Sequence, residues 1–422
     1  MKKVLLAHLL GVISIAAFAQ PDVDAAKNQQ AALNFTVEKS IAATPVKNQA
    51  MTGTCWCFSS TSLIESQCLR KNLGEMDLSE MYTVRNIYIE KAKNYVLRQG
   101  HAQFGEGGLG HDLIRAIATY GAVPESVYSG LKPGETMHNH QHLATYLKHY
   151  LDSVLRTSPL SADWLEGYTK VLDASLGTPP EGFIYKGKKY TPKTFAAEVL
   201  KFDANEYVNL TSFTHHPYYT PFIIEVPDNF SNGSYYNLPL NELIQVTKDA
   251  LKGGYSVLWD ADVSNNGFKQ NLGIAEYYDN TLKPTQKSKL EAQAADANQL
   301  PAYATQQVSD AEMANPGINA KKAGDDGKMA AVAPAEGKWD ANIRQALFEN
   351  LTTQDDHLMH ITGIERNPQG KTYFLVKNSW GDIGPAHGYI NVSEAYFAIN
   401  TISLIIPKAA ISKELLAKLG IK

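Results

Sequence analysis

Residues 48–58 read Asn-Gln-Ala-Met-Thr-Gly-Thr-Cys-Trp-Cys-Phe and hold two of the three cysteines in a chain of 422 residues. A disulfide, a metal site, a buried small hydrophobe or a nucleophile would each explain cysteines in a Gly-Thr turn beside a tryptophan. The disulfide fails on geometry. If residues 55–71 are helical, Cys57 and Cys68 share nearly one face but lie about 16 Å apart along the axis, whereas a bridge needs Cα atoms within about 7 Å. Cys55 and Cys57 point about 200° away from each other on the same helix. That divergence also argues against a zinc pair, and the alternate histidines of His138-Asn-His-Gln-His142 read as solvated surface, so no metal is expected. A nucleophile fits better. Gly53-Thr54 makes the turn, Thr54 caps the helix, and Cys55 falls in the first turn, where the helix dipole favours a thiolate. Gln49 can set its side-chain amide beside the Cys55 backbone N–H, giving two donors for an oxyanion. Alone, the fragment also suits a buried structural cysteine.

Composition bounds the rest. A chain of this length with 44% hydrophobic residues can bury a large core. Its net charge of −4 supplies no basic field for phosphate backbones, so no nucleic-acid partner is expected. At the N-terminus, Lys2-Lys3 precede an apolar run from Val4 to Phe18 that closes on Ala17-Phe18-Ala19 before Gln20. This is the pattern of a cleaved secretory signal, residues 1–19, and predicts a periplasmic or secreted protein with no stable membrane insertion afterwards. Three cysteines are a small, odd set for that compartment, so at least one thiol stays free.

After an N-terminal segment at 20–43, residues 44–160 carry helical periodicity, as in Leu109-Leu113-Ile114-Ile117, whose stripe stops at Gly121. Residues 161–245 read as an insertion of short strands and loops, rich in Pro, aromatic pairs and turn clusters. Residues 246–406 read as β-rich, with strand-like runs at Tyr255–Trp259, His357–Ile364, Thr372–Val376, Gly388–Val392 and Thr401–Ile406. Within them, 283–338 is dominated by Ala, Gln, Asp, Lys and Gly and reads as a solvated loop or lid. Residues 407–422 read as a C-terminal helix. A helical half followed by a β half implies an α+β fold with a cleft between two lobes.

The β half supplies a base. Asp356-His-Leu-Met-His-Ile-Thr-Gly-Ile364 holds His357 and His360, three apart and therefore on opposite faces of a strand. Downstream, Val376-Lys-Asn-Ser-Trp-Gly381 offers Asn378 to orient an imidazole and Trp380 to shield that bond. The order Cys, His, Asn is that of papain-like proteases.

Together NQAMTGTCWCFSSTSLIES, LSEMY, EGGLGHD, DHLMHITGI and KNSWGD resemble the papain superfamily, and within it the bleomycin hydrolase and aminopeptidase C branch. The resemblance implies a two-lobed fold in which a helical lobe carrying the nucleophile helix packs against a β-barrel-like lobe. It implies Cys55 as nucleophile, His357 as general base and acid, Asn378 as orienting residue and Gln49 as oxyanion donor. Trp56 and Trp380 would support the site, and Gly107-Gly108 would let a peptide substrate approach as an added strand. Cys57 and Cys68 would pack in the core. No cofactor is implied, and relatives often form hexamers, so a homo-oligomer is an expectation. The activity implied is cysteine-type aminopeptidase, with endopeptidase or mixed activity as the alternative and an inactive peptide-binding relative as a further one. The endopeptidase alternative comes from Ile411–Lys422, which resembles the helix preceding the branch's C-terminal arm with the arm itself short. The branch is usually cytosolic, and the exported N-terminus departs from it.

Overall fold

The computed structural model of the chain describes residues 34–278 and 336–422; the expected signal at 1–19 and nearly all of the 283–338 segment lie outside them. Strand β1 (Thr36–Ser40) leads into helices α1 (Cys55–Arg70), α2 (Glu80–Leu97), α3 (Gly110–Tyr120), α4 (Leu143–Val154) and α5 (Trp164–Leu176). A hairpin, β2 (Phe183–Tyr185) and β3 (Lys188–Tyr190), and helix α6 (Pro192–Glu198) follow. Then come β4 (Tyr207–Thr211), β5 (Pro221–Ile223), β6 (Ser234–Asn237), α7 (Leu240–Lys252), β7 (Val257–Ala261), β8 (Phe268–Lys269) and β9 (Ile274–Ala275). From residue 336 onward lie α8 (Ala341–Glu349), β10 (His357–Arg366), β11 (Thr372–Lys377), β12 (Tyr389–Ser393), α9 (Glu394–Asn400), β13 (Thr401–Pro407) and α10 (Lys413–Lys418).

Helix α1 is buried from Cys55 through Cys68, which its small polar residues allow. Ser59 Oγ donates to Leu358 O (2.6 Å), Ser62 Oγ meets His360 Nδ1 (2.9 Å) and Ser66 Oγ donates to Ala42 O (2.9 Å). Recurring at helical spacing, these hydroxyls turn a polar face into a bonded one, so the helix sits inside the protein without orphaning that face. Helix α3 follows the expected stripe: Leu113, Ile114 and Ile117 are buried, and it ends at Gly121, whose φ of 84° is open to glycine.

The sheet runs in the order β5-β6-β4-β13-β7-β10-β11-β12-β9-β8, with β1 added beside β10. Its two faces bury different cores, as the period of two requires. Leu258, Leu358 and Ile405 pack with the helical lobe, whereas Trp259, Met359, Ile361 and Leu404 pack with α7 and α9 on the other side. The architecture is mixed α+β and two-lobed.

The expected β-barrel-like lobe is not there. Among the described residues the path has two free ends, β5 and β8, and no pairing joins them. The reason lies in the ends themselves: β8 has two residues and pairs only with β9, and β5 opens on Pro221, which has no N–H to offer a further strand. A second departure is at 161–245, expected as strands and loops. It holds α5, α6 and the start of α7 as well. Tyr168, Leu172 and Leu176 form a buried i, i+4, i+8 stripe on α5, and Thr191 caps α6 with Pro192 in its first turn. Aromatic pairs and prolines nearby obscured that periodicity.

Candidate active site

The α1–β10 contact sets the level of the two candidate reactants. Ser59 bonds to Leu358 and Ser62 to His360, so helix and strand advance in the same direction side by side. Stepping back four helical residues from Ser59, about 6 Å, retraces about two strand residues at roughly 3.3 Å each. That brings Cys55, the first residue of α1, level with Asp356 and His357.

His357 and His360 do face opposite sides of β10. His360 is turned to α1, while His357 Nε2 lies 2.7 Å from Asn378 Oδ1. The orientation of Asn378 follows from its other bonds. Ser379 N, which can only donate, gives its proton to Asn378 Oδ1 (2.7 Å), and Asn378 Nδ2 donates to Gln270 Oε1 (3.0 Å). The atom facing His357 is therefore an acceptor, so Nε2 carries the imidazole proton and Nδ1 is left as the basic nitrogen. Trp380 covers the pair, its ring centroid 4.6 Å from that of His357, and Phe268 meets the indole edge-on.

Burial drives the His357 pKa down to about 4, against the upward pull of the Asn378 hydrogen bond. The ring is neutral at pH 7. In a Cys55→Ala protein the His357 ring resonances should titrate near pH 4, and an NMR midpoint at or above 6.5 would contradict this environment. The sign for stability follows. Between 6.5 and about 4 the unfolded chain takes up a proton that the folded site refuses, so this residue's contribution is present above 6.5 and is lost as pH falls through that window.

Gln49 joins the same network from the helical lobe. Its N–H donates to Ser379 O (2.8 Å), its Oε1 accepts from Ser379 Oγ (2.6 Å), and its Nε2 donates one proton to Thr52 O (2.7 Å). Gln49, Ser379, Asn378 and His357 thus form one continuous hydrogen-bonded chain. Contrary to expectation, Thr54 does not cap α1 with its side chain; its hydroxyl pairs with that of Thr52 (2.6 Å), while its carbonyl accepts from Cys57 N and Phe58 N. Cys57 is buried with its Sγ on Glu80 O (3.3 Å), Cys68 is buried too, and none of the three cysteines forms a disulfide. Burial raises both the Cys57 and the Cys68 thiol pKa, the latter to about 11.

The glycine pair is close to the helix, and what fills the space beside it is protein. A Cβ on Gly108 would come 3.1 Å from the Trp56 indole, and one on Gly107 would overlap the Asp228 carboxylate. The preceding residue pins the loop: Glu106 Oε2 accepts from Gly53 N (2.7 Å) and Glu106 O accepts from Trp56 Nε1 (3.0 Å). Burial lifts the Glu106 carboxyl to about 7, despite the Gly53 N–H and Lys91.

Several residues of this site were not legible in advance. Gln270, which orients Asn378 from the short turn after β8, belongs to no motif, and Ser379, although within the KNSWGD stretch, gave no sign that it would bond to Gln49. The Ser59-Ser62-Ser66 stripe was a visible signal that α1 is bonded on a polar face. His140, read as surface, is buried against Tyr88 with its Nδ1 3.8 Å from Glu106 Oε2, and burial pushes its pKa down to about 3.

Among the described residues one group has the composition of a metal site, His215, His216 and Glu225. Its hydrogen bonds oppose that use. Gln345 Oε1 accepts from Thr214 N, so Gln345 Nε2 is the donor facing His215 Nδ1 (2.7 Å) and leaves the proton on Nε2, where a metal would need a lone pair. Among the described residues no helix is long and apolar enough to cross a membrane.

A family model described as the Peptidase C1-like family matches residues 101–329 and 335–421. The chain belongs to that family. The model described as Papain family cysteine protease matches residues 32–128 of this C1-like peptidase, the part that carries Gln49 and Cys55. It is 23% identical over 413 residues to an aminopeptidase C of Listeria innocua, covering 88% of this chain and 82% of that one. It is 22% identical over 425 residues to a bleomycin hydrolase of Mus musculus, covering 89% and 82%. The crystal structure of pepw from Lactobacillus rhamnosis superposes with a TM-score of 0.66 at 19% identity, over 93% of this chain and 86% of that one, a likeness of fold.

Proposed function

We propose that this C1-like peptidase is a cysteine aminopeptidase that removes residues from the N-terminus of peptides. The observation that carries the mechanism is the oriented His357–Asn378 bond, which leaves Nδ1 as the base at the level of Cys55. His357 Nδ1 takes the Cys55 proton, and the thiolate sulfur attacks the peptide carbonyl. The oxygen that becomes negative is stabilised by the α1 N-terminus and the remaining Gln49 amide hydrogen. As the C–N bond breaks, the imidazolium returns its proton to the leaving amine. Water, deprotonated by His357, then attacks the thioester and releases the acid and the free thiol.

Exopeptidase restriction draws its support from relatives that are aminopeptidases C by name. The test compares fluorogenic peptides with free and with acetylated N-termini. Free peptides should be turned over at least about 100-fold faster in kcat/KM, a margin of roughly 2.7 kcal/mol, and equal rates would establish an endopeptidase. We also place the mature enzyme outside the cytoplasm, on the strength of the Lys2-Lys3 and Val4–Phe18 pattern. N-terminal sequencing of the exported protein should begin at Gln20, and recovery of an intact Met1 terminus from the cytoplasm would reverse that reading.

A further inference from the structure

One proton of the Gln49 amide is anchored on a peptide group that is itself held from its far end. Gln49 Nε2 donates to Thr52 O (2.7 Å), and the N–H of that same peptide, on Gly53, donates to Glu106 Oε2 (2.7 Å). A peptide whose N–H is drawn towards an acceptor carries more negative charge on its carbonyl oxygen, so hydrogen bonds at its two ends strengthen each other. Gln49 Oε1 accepts from Ser379 Oγ (2.6 Å), which fixes the amide on its other side and leaves one amide hydrogen for the cleft.

The packing makes Glu106 a rigid support. Lys91 Nζ ties its segment to α2 by donating to Gly105 O and Gly107 O, and Trp56 Nε1 ties it to α1 by donating to Glu106 O (3.0 Å). A methyl on Gly53 would come 3.1 Å from Glu106 Cβ, so turn and acid are already in contact. A second segment pairs with the same turn: Met51 N donates to His138 O (3.1 Å) and His140 N donates to Met51 O (3.0 Å). The buried His140 ring, which has no hydrogen-bond partner, lies 3.8 Å from Glu106 Oε2. Of the groups facing the carboxyl, the Lys91 ammonium draws its pKa down, whereas burial keeps Tyr88 and His140 neutral. Desolvation outweighs Lys91 and holds the acid at about 7, so Glu106 changes charge near neutral pH.

We propose that Glu106 is a positioning residue for peptide hydrolysis: through the Thr52–Gly53 peptide it aims the remaining Gln49 amide hydrogen at the developing oxyanion, and it does so more strongly as a carboxylate than as an acid. A hydrogen bond to an ionised acceptor is about twice as strong as one to a neutral acceptor. Ionised Glu106 therefore holds Gly53 N–H harder, Thr52 O becomes the better acceptor, and the Gln49 amide is less free to turn away. This inference rests on the peptidase reading, because it needs an oxyanion at Gln49.

The test is steady-state kinetics on a fluorogenic peptide with a free N-terminus, comparing full-length wild type, Glu106→Gln and Glu106→Ala from well below to well above pH 7. Glutamine keeps an oxygen for Gly53 N–H but never a charge. Its kcat should match wild type at low pH, fall behind as pH rises through about 7, and level off roughly fivefold lower. KM should stay unchanged, because the bond acts on a charge that exists only after attack. Glu106→Ala removes the acceptor and should fall behind about tenfold at low pH as well. The deciding measurement repeats both substitutions in Gln49→Ala protein, where no amide is left to aim and neither should lower kcat further. A glutamate that only supports the fold gives a ratio without a pH step and losses that persist without Gln49, and either result overturns the proposal. If Glu106→Ala fails to fold, Glu106→Gln carries both comparisons. A failed peptidase reading is seen separately: wild type cleaves no peptide, while in Cys55→Ala protein the Gly53 amide proton still moves downfield as pH rises through about 7 and Glu106→Gln abolishes that shift. Absence of the shift in Cys55→Ala protein also overturns the proposal.

Discussion

Cys55→Ala should lower kcat/KM by at least about 10⁴-fold, and His357→Ala by a similar factor, while the double variant is no worse than either alone. The non-additivity is the sharper half of the prediction, because a nucleophile and its base act as one unit and removing either forfeits the whole covalent route. Asn378→Ala should have a smaller effect, about 10²-fold, since it leaves both reactants present and removes only the acceptor that holds His357 Nε2. An epoxide thiol reagent should label Cys55 and spare Cys57 and Cys68, whose thiols are buried and pushed towards the protonated form. Kinetics on a fluorogenic peptide and mass mapping of the label read these outcomes. Residual activity above about 1% in Cys55→Ala would remove the thioester mechanism.

Gly121→Ala should destabilise the fold by about 3–5 kcal/mol, read from the denaturant midpoint. Two independent causes add here. Gly121 has φ 84° and ψ −162°, a region that residues with a Cβ avoid, and its added methyl would overlap the backbone of Pro192 and Lys193 at the start of α6. Backbone cannot rotate away as a side chain can, so α3 and α6 would have to separate, breaking the Ala122 N to Pro192 O bond (3.1 Å). Gly74→Ala provides the control, since it also has a positive φ (89°) but nothing within 4 Å of the new methyl. It should cost only about 1 kcal/mol. Equal losses at the two positions would mean that the contact with α6 contributes nothing.

Legibility followed the range of the interaction. The stripe Leu113-Ile114-Ile117 and its stop at Gly121 depend on neighbours three and four residues away, and the helix was readable to its end. The strand at His357 was readable for the same reason, down to the opposite facing of its two histidines. Closure of the sheet was not readable, because it depends on whether β5 can pair with β8, and the short local runs of each say nothing about the other. His140 looked solvated among polar neighbours, and only the packing of α2 over that turn buries it against Tyr88.

Residue types, their local periodicity and their order along the chain were enough to nominate Cys55, His357, Asn378 and Gln49, since each sits in a short motif whose chemistry is local. Only the tertiary structure decided their relative height, through a bond between Ser59 and Leu358, 299 residues apart, and through the rotamer choice that Ser379 N forces on Asn378. The same long-range packing brought the Asp228 carboxylate against Gly107. Local conformation follows from sterics and hydrogen bonds within a few residues. The placement of distant charges follows from which apolar faces bury each other, and no single segment contains that information.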